Sequence, residues 1–149
     1  MQISTKFTIA VHLLTAVAYF SESQKVTSDF LAGSIGSNPV IIRNIMGQLK
    51  EAGLIDIKRG PGGVTLEKKL TDISFLDIYK AVETNSEEVL FRFHENPNLL
   101  CPIGRTIHKS LDGALEEIQK NFEVELSKWT LADVYENSLE ELRKEKQNE

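Results

Sequence analysis

A mainly α-helical fold with a small two-stranded wing is predicted by three features of this 149-residue sequence. First, a short helical pattern, a glycine turn and a second helical pattern follow one another over residues 26–53. Second, a strand-like alternation over residues 54–59 runs into a glycine-rich turn at 60–63. Third, apolar residues recur every three to four positions over roughly 24 residues after Pro102. Together these features predict a winged helix-turn-helix followed by a long C-terminal helix.

The composition is that of a soluble globular protein. Hydrophobic residues make up 41% of the chain and charged residues 26%, and no apolar run approaches the ~20 residues that a membrane span needs. The start, from Met1 to Lys6, lacks the charged-then-apolar order of a signal peptide. A single cysteine excludes an internal disulfide. These features favour a cytoplasmic protein that does not contact a membrane.

The charge is distributed unevenly along the chain. The net charge is −5, yet residues 1–70 carry eight Lys/Arg against five Asp/Glu, and the remainder carries −8. A basic first half joined to an acidic second half is expected if only the first half meets phosphate. A chance split on a solvated surface is the alternative, and the excess of +3 alone does not exclude it.

Capping residues mark the start of the first two helices. Ser4 can cap a helix over roughly residues 5–20, which is followed by a polar break. Thr27 or Ser28 can cap a shorter helix that continues through Ser34.

The third helix begins at Asn38, which has the chemistry of a cap, and Pro39 suits its first position because the missing N–H is not needed there. Gly53 suits the left-handed residue just past its end. Its core stripe is predicted to contain Ile42, Ile45, Met46, Leu49 and Ala52.

The opposite face of the third helix carries residues that can read bases. Arg43 can donate two hydrogen bonds to guanine, Asn44 can do the same to adenine, and Val40 can touch a thymine methyl. Gly47 and Gln48 share this face. A solvated polar face is the alternative for an isolated helix, but the preceding short helix and the following wing favour a recognition helix.

The wing is predicted to consist of two strands, residues 54–59 and 64–66, joined by a turn whose backbone can approach a phosphate or the minor groove closely. Lys58 and Arg59 lie at its base. The predicted contacts of the turn are Gly60, Pro61, Gly62 and Gly63.

A further helix over 75–83, capped by Ser74, is predicted to close the DNA-binding part, residues 1–84. Residues 85–138 hold a linker, the long helix from Pro102 to about Leu126, and a short helix over 129–137. Residues 139–149 are expected to be a disordered charged tail. The long helix is predicted to form a homodimer, with intramolecular packing as the alternative. The predicted dimerisation residues are Ile103, Ile107, Leu111, Leu115, Ile118 and Phe122.

A separate physical argument concerns the reactivity of Cys101. If Pro102 begins the long helix, Cys101 sits at its N-terminus, where amide donors favour the reactive thiolate, and Arg105 adds to this effect. The hypothesis is a redox or electrophile sensor; a partly buried, inert cysteine is the equally supported alternative. His94 and His108 flank Cys101 too widely for a metal-binding spacing, so no metal and no cofactor is predicted.

The chain resembles the Rrf-two family of bacterial transcription regulators. The resemblance covers most of the chain, and the Arg-Gly-Pro-Gly-Gly wing with the following helix is its specific part. The matching segments are residues 3–6, 50–55, 59–63, 73–83, Cys101 and residues 130–134.

This resemblance implies a homodimeric DNA-binding repressor. By position it adds Ser4, Thr5, Lys6 and Ser28 to the predicted DNA contacts. Cluster-binding relatives place three cysteines before the long helix, where only Cys101 stands here, and one thiolate cannot hold a four-ligand iron–sulfur cluster. Some relatives carry an acidic residue in the place of Arg43, so the operator sequence is not carried over.

The sequence therefore predicts a sequence-specific regulator that binds a near-palindromic site as a homodimer. The rival interpretation is a winged-helix module for protein contacts without DNA. An enzyme is not predicted, because the chain has no nucleophile grouping and no phosphate-binding loop. The operator, the regulated genes, the inducing signal and the choice between repression and activation are not specified by the residues.

Overall fold

The computed structural model describes residues 3–59, 62–83 and 90–149. Within these ranges it contains six α-helices and one antiparallel sheet of two strands. The elements in chain order are α1 Thr5–Phe20, α2 Ser28–Ile35, α3 Pro39–Glu51, β1 Ile55–Lys58, β2 Gly63–Leu66, α4 Phe75–Val82, α5 Ile107–Lys128 and α6 Leu131–Gln147. This order confirms the predicted mainly helical fold with a two-stranded wing.

Side-chain caps fix the starts of the first three helices. The Ser4 Oγ accepts a hydrogen bond from the Lys6 N–H at 3.3 Å. Thr27, rather than Ser28, caps α2 through the Phe30 N–H at 3.1 Å. These caps satisfy amide groups that have no partner within the helix, as the sequence predicts.

The core lies around α1, which contacts α2, α3, α4, α6 and β2. One face of α1 is buried, and the stripe Ile42, Ile45, Met46 and Leu49 of α3 is buried against the same cluster. Ala52 was expected in this stripe but is exposed, because α3 ends at Glu51 and the chain turns away at Gly53, whose φ is +77°.

The wing is fixed to the body at one end. Its register pairs Lys58 with Gly63 and Ile55 with Leu66. The Val64 N–H donates to the Val26 carbonyl at 2.9 Å, which ties β2 to the connection between α1 and α2. Gly63 is buried there with a φ of +65°, so it serves the attachment of the wing.

The segment between α5 and α6 hydrogen-bonds to the segment at the start of α4. The Phe75 N–H donates to the Trp129 carbonyl and the Leu131 N–H donates to the Ile73 carbonyl, both at 2.8 Å. Leu131 is fully buried, and α6 then runs along α1. The predicted boundary between residues 84 and 85 lies outside the described residues.

The long helix begins at Ile107, and the prediction that it begins at Pro102 is wrong. The Thr106 hydroxyl donates to the Pro102 carbonyl at 2.8 Å, while the Thr106 N–H turns to the Ile103 carbonyl at 3.1 Å. The Pro102 carbonyl thus accepts a hydrogen bond from the Thr106 side chain, whereas in a continuing helix it would accept one from a backbone N–H. The resulting helix has 22 residues and is about 33 Å long. Cys101 therefore does not lie at its N-terminus.

The last helix is longer than the sequence predicts. It continues to Gln147, so the expectation of a disordered tail after Leu139 is wrong. Lys144 forms ion pairs with Glu140 at 3.7 Å and with Glu141 at 3.2 Å, spacings that support an exposed helix. The hydrogen bond that the Lys144 ammonium donates to Glu141 is the main cause of the raised pKa of Lys144. None of the described helices is long and apolar enough to cross a membrane.

Candidate nucleic-acid interface

The outward face of α3 carries the residues predicted to read bases. Val40 is 58% exposed, and Arg43, Asn44 and Gly47 are exposed beside it. The Val40 N–H is capped by the Asn38 Oδ1 at 2.8 Å, so the start of this face has a fixed backbone. The face is opposite the buried stripe that anchors α3, and it can therefore enter a groove without disturbing the core.

The N-terminus of α1 reaches this face. Lys6 and the α3 residues Ile41, Asn44, Ile45 and Gln48 line one depression with a volume of about 400 Å³. The structure thus places Lys6 and Asn44 at the same depression, although they are far apart in the sequence.

Sequence reasoning missed Ile41, which is 44% exposed. Its position in the sequence could have indicated this exposure. By helical spacing, Ile41 shares a face of α3 with Asn44 and Gln48 rather than with the core stripe.

A carboxylate accompanies the candidate base-reading arginine. Asp29 of α2 lies 3.8 Å from the Arg43 guanidinium, and both side chains are largely exposed. An ion pair in such a setting contributes little to stability, but it places a carboxylate beside the guanidinium. Sequence reasoning missed Asp29, and its place in the first turn of α2 gives no direct sign of the contact.

The other predicted contacts at helix starts have local structural partners. Ser4 is exposed, and its hydroxyl donates to the Glu83 Oε1 at 2.7 Å. Thr5 is exposed at the start of α1, and Ser28 is half-buried as the first residue of α2. Ser4 and Thr5 thus lie at the start of α1 and Ser28 at the start of α2, two helices that both contact α3.

The wing presents its basic residues to solvent. Lys58 and Arg59 are exposed, as is Gly62. A Cβ atom at Gly62 would overlap the Lys58 side chain, so glycine here allows the turn to fold tightly over that side chain. Gly60 and Pro61 lie outside the described residues.

The surroundings of Cys101 differ from those predicted. The thiol is exposed in the turns before α5. His94 and His108 make an edge-to-face contact with ring centroids 5.1 Å apart, and Phe93 stacks on His108 at 4.6 Å. Over residues 3–59, 62–83 and 90–149, no three His, Cys, Asp or Glu groups are placed to hold a metal ion.

Five of the six predicted dimerisation residues lie on α5, which has no fully buried side chain, whereas Ile103 lies in the turns before it. Phe122 contacts Tyr79 of α4 edge-to-face at 5.5 Å, and Leu115 and Ile107 are half-buried. In contrast, Ile118 is 46% exposed and Leu111 is 37% exposed. The C-terminal end of α5 is thus attached to α4, while part of its apolar row faces solvent.

Comparison with known proteins gives consistent matches over nearly the whole chain. The family model Rrf2 (Rrf-two), described as an iron-dependent transcriptional regulator, matches residues 3–137. YwnA of Bacillus subtilis, named as an HTH-type transcriptional regulator, is 37% identical over 89% of this chain and 96% of its own.

Two solved structures have the same fold. One is described as a DNA-binding protein; it is 31% identical, covers 87% of this chain and 97% of its own, and has a TM-score of 0.68. The other, a transcriptional regulator from Lactobacillus plantarum, is 24% identical, covers 99% of this chain and 100% of its own, and has a TM-score of 0.72.

The residues of this chain do not fit the iron group that the description of the family model implies. Cys101 is the single cysteine of the sequence, and among the described residues it forms no group of three donors with His94 and His108. An iron–sulfur cluster is held by several thiolates, as a rule four. The donor set therefore supports no reaction step through iron.

Proposed function

This chain belongs to the Rrf2 family of transcriptional regulators, and we propose that it is a repressor that binds a near-palindromic operator as a homodimer. The family consists of regulators rather than enzymes. The observation that carries the proposal is the exposed outward face of α3, which shares a depression with Lys6 and is followed in the chain by the basic wing.

In the proposed complex α3 enters the major groove. Arg43 donates to the O6 and N7 atoms of a guanine, and Asn44 pairs in the same manner with an adenine. Val40 and Ile41 supply apolar contact suited to thymine methyl groups. These contacts lie on the N-terminal half of α3, which is the part of a recognition helix that reads bases.

Phosphate contacts position the helix in the groove. Lys6 approaches from the start of α1, and Lys58 and Arg59 approach from the wing. The three cations belong to the basic half of the chain, residues 1–70, whose net charge is +3. They carry no sequence information themselves but fix the register of α3 on the duplex.

The homodimer would place two copies of α3 in successive major grooves, about 34 Å apart. The exposed part of the apolar row of α5 supports this assembly, since Leu111 and Ile118 remain 37% and 46% exposed. An apolar row along a long helix is suited to a symmetric interface.

Selection of duplexes from a random pool by the full-length protein tests the proposal. Two half-sites related by a dyad, with centres about 10 base pairs or a multiple apart, are expected. A single unpaired half-site would contradict the homodimer. If the protein ignores DNA even at low salt, the rival interpretation as a protein-contact module is correct.

Cys101 is proposed as the residue that responds to oxidation. The helix-terminus reason for its reactivity no longer holds, and its free, exposed thiol is the remaining support. Oxidation of two Cys101 thiols from two chains would form one disulfide, with two electrons and two protons passing to the oxidant. Operator affinity should change after mild oxidation in the wild type and not in Cys101→Ser. Equal affinity in all samples would remove the sensor from the proposal.

A further inference from the structure

A pocket lies between α5 and a short segment that follows α4 in the chain, residues 90–93. Its volume is about 560 Å³, which is within the range of small-molecule sites in proteins, roughly 300–1,000 Å³. Residues between Asp112 and Glu123 of α5 line one side, and Phe91 and Phe93 of the segment line the other. We refer to this cavity as the α5 pocket.

Two aromatic rings form one wall of the α5 pocket. Phe91 is 39% exposed and Phe93 is 38% exposed, so neither ring is enclosed by the protein core. Arg92 lies between them in the chain but does not line the pocket. The wall therefore offers two rings whose π-electrons are open to a ligand.

Contacts at both ends of the segment hold the two rings against α5. At one end, the Leu90 N–H donates to the Gln119 Oε1 at 2.8 Å. At the other end, the ring of Phe93 stacks on His108, with ring centroids 4.6 Å apart. The wall is thus in place before a ligand arrives, which lowers the entropy lost on binding.

The opposite wall, on α5, is acidic. Helical spacing of three to four residues places Asp112, Glu116 and Glu123 along one side of the pocket, and Lys120 is the single cation among the described lining residues. Lys120 forms an ion pair with Glu116 at 3.3 Å. Asp112 forms no ion pair or hydrogen bond with another residue that the structure describes, so its carboxylate is available to a ligand.

We propose that the α5 pocket is an effector site for a small organic ammonium ion. Aromatic rings attract a cation through their π faces, and the Asp112 carboxylate supplies the opposite charge. An anion would be repelled by the excess of carboxylates, and a neutral apolar molecule would remove Asp112 from water without giving it a partner. The binding itself does not involve DNA, whereas the effector role rests on the proposed function.

The fold connects the α5 pocket to the recognition helix. Phe122 is adjacent to the lining residue Glu123 and contacts Tyr79 of α4, with ring centroids 5.5 Å apart. The helix α4 in turn packs on α3. Leu115 belongs both to the pocket lining and to the proposed dimerisation residues. A cation that binds one arrangement of α5 more tightly than another would therefore change operator affinity.

Titration of the full-length protein without DNA tests the site. The probes are benzyldimethyl(hydroxyethyl)ammonium and the neutral alcohol of the same shape, in which carbon replaces the charged nitrogen. The cation should bind at least about tenfold more tightly, and amide NMR shifts should concentrate at residues 90–93 and 112–123. Equal affinity for the two probes, or shifts centred elsewhere, would overturn the proposal.

Substitutions at exposed positions test the two walls without disturbing the core. Phe91→Leu removes a ring but keeps an apolar side chain, and it should weaken binding of the cation at least about threefold, whereas Phe91→Tyr should bind as the wild type does. Retention of full affinity in Phe91→Leu would exclude the aromatic wall.

Asp112→Asn removes the available carboxylate and should weaken binding of the cation at least about threefold while leaving the neutral probe unaffected. Glu117→Gln removes an equal charge from an exposed position of α5 outside the pocket and is the matched control. Equal losses in these two variants would show that only the net charge of the protein matters, and the assigned site would be wrong.

Operator binding tests the effector role. At constant ionic strength, the cation should change the operator affinity of the wild type at least about threefold and have no effect on Phe91→Leu. If the cation binds the pocket and operator affinity does not change, the effector role is wrong. A protein that binds the cation but no DNA would instead contradict the proposed function, and the cation site alone would stand.

Discussion

At the scale of single residues, two kinds of cation serve the interface. Arg43 stands on the outward face of α3 with Asp29 at 3.8 Å, whereas Lys58 is the last residue of β1, where the turn of the wing begins. A guanidinium can match the two acceptors of guanine, while an ammonium acts as a point charge on phosphate. Arg43 should therefore contribute to discrimination between bases, and Lys58 to affinity for any duplex.

Arg43→Ala should relax preference at one base pair, because the lost bidentate contact is worth about 1–3 kcal/mol of discrimination. Lys58→Ala should weaken binding to all duplexes alike and reduce the salt dependence by about one unit of slope. Binding to a panel of single-base operator variants at several salt concentrations separates the two. A uniform loss for both variants would contradict these roles.

Asp29→Asn should change which groups of the DNA Arg43 contacts. Removing the carboxylate frees the guanidinium for phosphate, so non-specific affinity should rise while discrimination for the guanine falls by less than about tenfold. Glu51→Gln, which removes an exposed charge outside the α3 base-reading face, is the control for net charge. Unchanged base preference in Asp29→Asn would show that the ion pair does not orient Arg43.

At the scale of elements, the sequence predicts best where one local interaction decides the outcome. The caps at Ser4, Asn38 and Ser74 and the left-handed Gly53 were all confirmed. The start of α5 was not, because apolar spacing cannot show that the Thr106 hydroxyl takes the Pro102 carbonyl. The length of α6 was underestimated because its charged end is stabilised by ion pairs between residues of α6 itself.

Gly63→Ala should destabilise the wing and the fold. The residue has a φ of +65°, and an added Cβ would stand 2.7 Å from the Val26 carbonyl. The conformational strain and the clash together predict a loss of about 2–4 kcal/mol in the free energy of unfolding. Denaturant titration at matched protein concentration measures it.

Gly33→Ala is the matched control for that substitution. No atom lies within 4 Å of a Cβ added at Gly33, and the residue is inside α2. Alanine should therefore stabilise the protein by about 0.5–1 kcal/mol. Equal losses at both positions would contradict the attachment of the wing at Gly63.

At the scale of the whole molecule, charge distribution and helix order predict the candidate interface. The fold is needed to bring its residues together from different helices. Residues 1–70 carry +3 in the sequence, and the wing follows α3 directly. The proximity of Lys6 to Asn44 and of Asp29 to Arg43 depends on how α1 and α2 pack on α3. No local pattern specifies such contacts, since the partners are distant in sequence and remain exposed.

The dependence of DNA binding on two copies can be tested on α5. Ile118 is 46% exposed, so Ile118→Asp should leave the monomer folded while opposing burial at the proposed dimer face. Losing the second binding unit should lower operator affinity by about 10²–10⁴-fold and leave affinity for an isolated half-site unchanged. Lys109→Gln, an exposed substitution on the same helix that also changes the net charge by −1, controls for net charge. Sedimentation and binding measured together decide the case: if Ile118→Asp stays dimeric, the two copies meet through another surface.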